Sequence, residues 1–319
     1  TFQGRMTGTQ RDALLALPVQ VFDSAGNPVF LPNGDPKTEA VQVFPREVVE
    51  QLYAASQDVP LNPDTGYRLG GGGQFAVSAR NLDLGATAGI VSYGPRANPA
   101  LARYFTRGAD IEVNLSGNLD MFSTTISSLN GGDVTVLSGG SVNVGSRRFQ
   151  ASDQFARGIL TVDESDVTVI AQGNIDVNGS RIAGYDGGNV LVRSLEGNVD
   201  AGTGGAGSAT VEKIYVDPET RQIRTYAPTI PGSGILATTF PRSLDPAFPP
   251  SESFVGDITV ETPRGDIIAS SGGVVQIPLN GIGERSGTVT LTAGTKDAAG
   301  NVVYQGNIDA RGSGVIGSN

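Results

Sequence analysis

The chain has 319 residues, 45 of them glycine, about twice the usual share, and it contains no cysteine, histidine or tryptophan. Those absences exclude Ser-His-Asp and Cys-His catalysis, zinc sites of the Cys/His kind, Cys- or His-ligated haem, and disulfides. A net charge of -10, from 32 acidic against 22 basic residues, repels phosphate backbones and anionic membrane surfaces. No apolar run approaches the roughly 20 residues that span a bilayer, so neither nucleic acid nor membrane insertion is expected.

Residues 1–73 read as a small mixed flanking region. A hairpin is predicted over 18–31, where Val19 and Val21, then Val29 and Leu31, flank the turn-rich Asp23-Ser24-Ala25-Gly26-Asn27. A short helix is predicted over 45–56, with Val48, Val49, Leu52 and Tyr53 at spacings of three and four and Pro45 in the first turn. A polar stretch with Pro60 and Pro63 leads to Gly70-Gly71-Gly72-Gly73. Thr1 is not an initiator Met and no signal peptide is visible, so the chain reads as part of something longer.

From residue 74 a short unit recurs: glycine, a small polar residue, then alternating apolar and polar residues. Gly117-Asn118-Leu119-Asp120-Met121, Gly132-Asp133-Val134-Thr135-Val136, Gly140-Ser141-Val142-Asn143-Val144 and Gly173-Asn174-Ile175-Asp176-Val177 are examples, and Gly158-Ile159-Leu160-Thr161-Val162 fits loosely. Starts at 117, 140, 165 and 188 lie 23, 25 and 23 residues apart, and those at 265 and 287 lie 22 apart. A period of that length holding two or more short strands is what a parallel β-solenoid needs, the chain turning corners and stacking on itself at strand spacing. An antiparallel sandwich, the rival, expects hairpin signals at shorter intervals and no fixed longer period. Val134/Val136, Leu160/Val162, Val190/Val192 and Val289/Leu291 are then expected as inward pairs on different coils, with Val142, Val144, Val167, Val169, Ile175 and Val177 also inward. Asn118, Asn174, Asn189, Asn198 and Asn307, each following a glycine, stand where side chains can form a ladder, although turn preference alone also explains them.

The division expected is therefore 1–73 flanking region, 74–202 solenoid, 203–255 a Pro-rich excursion with a hairpin, and 256–319 solenoid again. Within the excursion, Val211–Val216 and Gln222–Tyr226 flank Asp217-Pro218-Glu219-Thr220, a hairpin signal. The prolines at 228, 231, 241, 246, 249 and 250 are expected to deny regular pairing.

The segments Ala79-Arg80-Asn81-Leu82-Asp83-Leu84-Gly85, Gly139-Gly140-Ser141-Val142-Asn143-Val144-Gly145-Ser146, Gly173–Ile182, Gly197-Asn198-Val199-Asp200-Ala201-Gly202 and Gly232-Ser233-Gly234-Ile235 resemble the C-terminal β-helical region of filamentous haemagglutinin-like exoproteins, the large products of two-partner secretion in Gram-negative bacteria. The resemblance covers roughly three-quarters of the chain. It implies a right-handed parallel β-helix, export across the outer membrane, and adhesion or matrix roles at the cell surface. It carries over no catalytic motif, and the chain lacks the family's N-terminal secretion domain.

The remaining residue types leave few routes to catalysis. A glycosidase needs two carboxylates at a suitable separation, and Asp133, Asp166, Asp176 and Asp200 are the candidates. All four follow the repeat, which turns and solubility explain, whereas a site is expected to break it. A lyase needs a basic residue. Lysine occurs only at 37, 213 and 296, and Arg147-Arg148 and Arg181 are alternatives, although a solvated face is the commoner role of such residues. Asp23–Asn27 and Asp297–Asn301 resemble turns and not calcium loops, Gly131-Gly132-Asp133-Val134 lacks the spacing of the calcium-binding nonapeptide, and Gly70–Gly73 lacks the Gly-Lys-Ser/Thr of a phosphate loop. Tyr215, Tyr226, Phe240, Phe248 and Phe254 cluster in the excursion, where they either stack on a ligand or cover the solenoid wall; covering is favoured.

The reading is a structural or adhesive β-solenoid segment of a large secreted bacterial surface protein, with no catalytic, cofactor or metal residues assigned and no cofactor. The rivals are a polysaccharide-active enzyme using paired carboxylates, and an inert spacer or filament component. The partners expected are further coils of a parent chain, or another subunit, at the C-terminal end, and surface glycans.

Overall fold

The protein is described from a computed structural model covering residues 16–24, 26–42, 66–85, 87–122, 124–145, 156–202, 208–244, 248, 254–269, 272–280, 287–312 and 314–317. The chain divides into two compact units, Thr1–Asn62 and Pro63–Asn319.

In the first unit the turn at Asp23–Asn27 forms, with the Val29 N–H donating to the Val21 carbonyl at 2.9 Å. The long pairing differs from the expected hairpin. Ala16–Gln20 runs antiparallel to Thr38–Gln42, because a second turn over Leu31–Asp35 folds the chain back again and Lys37 N–H donates to Val29 O. Asn33-Gly34, a strong turn dipeptide, is the signal for it. The helix expected over 45–56 lies outside the described residues.

The second unit is built from three sheets of 8, 7 and 8 strands, which the chain visits in rotation. The first sheet contains Gln74–Ala79, Asp110–Leu115, Val134–Ser138, Val167–Ala171, Val190–Ser194, Ile258–Thr262 and Val289–Lys296, all parallel, and Val302–Gln305, antiparallel at its edge. The second consists of two-residue strands, among them Val142–Asn143 and Ile175–Asp176. The third includes Thr125–Ser128, Gly158–Val162, Arg181–Tyr185, Gly234–Thr238 and Val274–Ile277. Pairing across 117–202 is parallel throughout these sheets, with Val134, Val167 and Val190 in register, and Val142 with Ile175.

The period-2 alternation decides the core. In these strands of the first sheet alternate residues are buried and the ones between are half-buried or exposed, as in Val134–Ser138 and Val167–Ala171. Val134, Val136, Val142, Val144, Val167, Val169, Ile175 and Val177 are all fully buried in one cluster to which the three sheets contribute. Val190 and Val192 join them, and Val289 and Leu291 pack against the cluster half-buried.

Leu160 and Val162 correct the expectation. Ile159 is the residue that joins the common core, in register with Ile126 and Ile182, while Leu160 and Val162 belong to a second apolar cluster. Successive residues point to opposite faces of a strand, so these two leucine-like positions lie on the outer face of the third sheet. That face is covered too. Gly158–Val162, Arg181–Tyr185 and Gly234–Thr238 are buried at every residue, which is why their sequences lose the polar alternation that marks the first sheet.

The segment 203–255 does not leave the sheets as one piece. Gly234–Thr238 pairs with both Arg181–Tyr185 and Val274–Ile277 inside the third sheet. The predicted hairpin forms, Lys213–Val216 against Ile223–Tyr226. Thr229–Pro231 also pairs, with Ser208–Thr210; Pro231 ends a two-stranded edge where a missing N–H is tolerated.

The recurrent Gly-polar dipeptide has a specific use. Asn118 N–H donates to Asn81 Oδ1, Ser141 N–H to Asn118 Oδ1, Asn198 N–H to Asn174 Oδ1, Asp266 N–H to Asn198 Oδ1 and Asn307 N–H to Asp266 Oδ1, at 2.7–2.9 Å. A second column runs Asp110, Asp133, Asp166, Asn189, Asp257, Thr288 in the same way. Each side-chain oxygen takes up a corner N–H of the next strand, so these are side-chain-to-backbone ladders, and Asn189 belongs to a different column from the other four asparagines. The glycine beforehand makes room: a Cβ on Gly140 would lie 2.0 Å from Asn118 Oδ1.

Candidate functional site

The second apolar cluster lies where the repeat breaks, and it surrounds the only buried charges that meet among the described residues. Leu160, Val162, Ala183, Tyr185 and Leu236 supply the outer face of the third sheet, and Val211, Ile214, Ile230 and Phe240 cover it. The hairpin is pinned by polar contacts at its base. Ile214 N–H donates to Leu129 O at 2.8 Å, the Asn130 side-chain amide donates to Ile214 O at 2.6 Å, and Arg96 pairs with Glu212 at 2.5 Å.

Lys213, the first residue of the hairpin, turns inward and is 2% exposed. Its Nζ lies 2.6 Å from Asp163 Oδ1 and 2.6 Å from Asp186 Oδ2. Asp186 is fully buried, and the Phe240 N–H donates to its Oδ1 at 3.4 Å. Burial alone pulls the Lys213 ammonium down, but the Asp186 and Asp163 carboxylates outweigh it and hold the pKa above the ordinary lysine value. Asp163 and Asp186 end successive strands of the third sheet, each one residue past it, and both adopt left-handed backbone (φ 75 and 61), a conformation Asp tolerates better than most residues.

Aromatic rings close the site. Tyr185 stacks on Phe240 at 6.0 Å, Tyr226 meets Phe240 at 6.1 Å and Phe248 at 5.3 Å, and Tyr215 meets Phe248 at 6.0 Å. Tyr226 Oη donates to Pro241 O at 2.9 Å. No space of water size remains between Asp186, Lys213, Tyr226, Phe240 and Phe248. These rings therefore cover the sheet, as a Pro-rich segment needs in order to stay packed. Phe254 does the same over Gly187, where an added Cβ would meet its ring at 3.1 Å.

The carboxylates proposed from sequence are elsewhere. Asp133 and Asp166 are exposed members of the second ladder, each occupied as an acceptor. Asp176 and Asp200 are register neighbours in the second sheet, half-buried, and Asp200 Oδ1 accepts the Gly202 N–H. None of the four joins Lys213. Lys37 and Lys296 are exposed. Arg181 is 3% exposed on the covered face, its Nε and Nη1 without hydrogen-bond partners among the described residues; burial pushes the nearby Tyr185 hydroxyl up, and the Arg181 charge partly offsets this. Arg147-Arg148 lie outside the described residues. Asp23 and Asp297 accept from the N–H of Asn27 and Asn301 within their own turns, and no group of three or more acidic side chains gathers among the described residues.

In the sequence Lys213 stands out only as one of three lysines that could serve a lyase, and nothing local marks Asp163 or Asp186. The legible signal was an apolar-flanked lysine, Val211-Glu212-Lys213-Ile214-Tyr215, in a chain with three lysines.

Fold and site define an all-β protein of long parallel sheets with one buried ionic cluster under a covering hairpin. No protein-family model, curated protein or solved structure matches the chain, and none identifies a filamentous haemagglutinin-like exoprotein. No helix among the described residues is long and apolar enough to cross a membrane.

Proposed function

We propose that the chain is a right-handed parallel β-helix serving as a structural and adhesive segment of a large secreted bacterial surface protein, acting by binding or spacing and not by catalysis. The observation that carries this reading is the fate of the acids: those that follow the repeat accept backbone N–H groups at its corners, and the buried cluster leaves no space of water size. Three parallel sheets visited in rotation around one core support the helical winding. Surface glycans are the proposed ligands. Further coils or another subunit would pair with the edge strands Val302–Gln305, Ile308–Asp309 and Val315–Ile316, whose apolar side chains are largely exposed.

Incubation with a panel of neutral and acidic glycans, read both by retention and by reducing-end release, tests the reading. Retention without release is expected. Release that disappears on changing any one of Asp133, Asp166, Asp176 or Asp200 to Asn would overturn it in favour of a polysaccharide-active enzyme. An experimental density map showing left-handed winding would overturn the fold assignment.

A further inference from the structure

Three features converge at Lys213. Its Nζ is equidistant, at 2.6 Å, from two carboxylates on neighbouring strands of the third sheet. Lys213 and Asp186 lie against Tyr226, Phe240 and Phe248, with no space of water size between them. The two carboxylates differ in setting: the Asp186 side chain is fully buried, whereas that of Asp163 is 30% exposed. Taking an ion pair out of water is costly, and an uncharged amide in its place removes that cost. Held at contact distance, an amine and a carboxylic acid are also spared the entropy of meeting.

We infer that Lys213 and Asp186 join in an intramolecular amide bond, with Asp163 as the base and proton carrier. In the reacting form one proton passes from the Lys213 ammonium to the Asp186 Oδ2 that it touches at 2.6 Å, giving a free amine and a carboxylic acid. The Lys213 Nζ lone pair attacks Cγ of Asp186, and the Phe240 N–H at Oδ1 offsets the charge that grows on that oxygen. Asp163 removes a proton from Nζ, then returns it to the hydroxyl on Cγ. The Cγ–O bond breaks and water leaves. One ammonium and one carboxylate thus become one amide and one water, with no oxidant, reductant or activated donor, and Asp163 ends as it began. The bond closes a loop of 27 residues and fastens the hairpin Lys213–Val216/Ile223–Tyr226 to the third sheet. A chain without cysteine obtains a covalent cross-link in this way. The link does not depend on what the protein binds.

Mass spectrometry of the folded full chain tests it. The intact mass is expected about 18 Da below the sequence mass, the loss of one water. After trypsin, Ile182–Arg193 and Ser194–Arg221 are expected as one species whose fragmentation yields two N-terminal series, from Ile182 and from Ser194. Lys213→Arg keeps the ion pairs but offers no nucleophile, and is expected at full sequence mass with its β-sheet circular dichroism intact. Asp163→Asn is expected to fold and remain unlinked. Wild-type protein at full sequence mass overturns the inference. So does a water loss confined to Ile182–Arg193 and reversed by hydroxylamine, since Asp186-Gly187 can cyclise by itself to a succinimide. Linking of Asp163→Asn at the wild-type rate overturns the role given to Asp163.

Discussion

Asp166 offers the sharpest test of the corner ladders. Its N–H donates to Asp133 Oδ1 at 2.9 Å, and its own Oδ1 accepts the Asn189 N–H at 2.8 Å. Asp166→Ala removes the acceptor and leaves the Asn189 amide to water. A hydrogen bond to a charged group contributes about 1.5 to 3 kcal/mol where it is shielded and a neutral one about 1; at this exposed corner solvent takes up much of the loss. The expected destabilisation is therefore about 1 kcal/mol, a factor of about five in the local opening equilibrium. Asp166→Asn keeps an oxygen in the same place without the charge and should lie within about 0.3 kcal/mol of wild type. Urea unfolding gives the global value, and hydrogen exchange at the Asn189 amide gives the local one, expected to be about fivefold faster in Asp166→Ala only. Equal damage from Ala and Asn would show that charge, and not acceptor geometry, holds the corner. Unchanged exchange at Asn189 in Asp166→Ala would show that the ladder contributes nothing.

Three further outcomes are expected. Gly140→Ala drives a Cβ to 2.0 Å from Asn118 Oδ1 and 2.9 Å from the Gly117 carbonyl carbon, overpacking that should cost about 1 to 3 kcal/mol in urea unfolding; an unchanged midpoint would mean the corner has slack. Phe240→Ala empties a fully buried site between Tyr185 and Tyr226 and should cost about 3 to 5 kcal/mol, with limited proteolysis newly cutting within 213–226; a hairpin as resistant as wild type would show that the ring is not its anchor. The Asp309 carboxyl is held down to about 2, first by the Arg311 guanidinium and then by the Arg311 N–H. Because that lies below the ordinary 3.8, its stabilisation is present above about pH 4 and lost as pH falls through about 2; an NMR titration midpoint near 3.8 would refute the pairing.

The glycine-led units, their alternation and their 22-to-25-residue recurrence determined the parallel strands and the inward Val134, Val136, Val167, Val169, Ile175 and Val177, because burial on one face of a strand writes a period of two into the sequence. The same rule misassigned Leu160 and Val162: where both faces of a strand are buried, apolar residues occupy both parities, and the sequence carries no phase from which to tell in from out. Hairpin Lys213–Val216/Ile223–Tyr226 was legible from its Asp-Pro turn, whereas the place of Gly234–Thr238 in the third sheet was hidden among prolines and fixed only by pairing with strands about 50 residues before it and 40 after it. Columns of Asn and Asp were legible as a composition, but only stacking shows which members share a ladder, since register between turns depends on the lengths of the intervening loops. Lys213, Asp163 and Asp186 lie 50, 23 and 27 residues apart in pairwise separation. No local pattern joins them; they meet because two strands of the third sheet end side by side and the hairpin folds back over that end, which brings the ammonium between the two carboxylates.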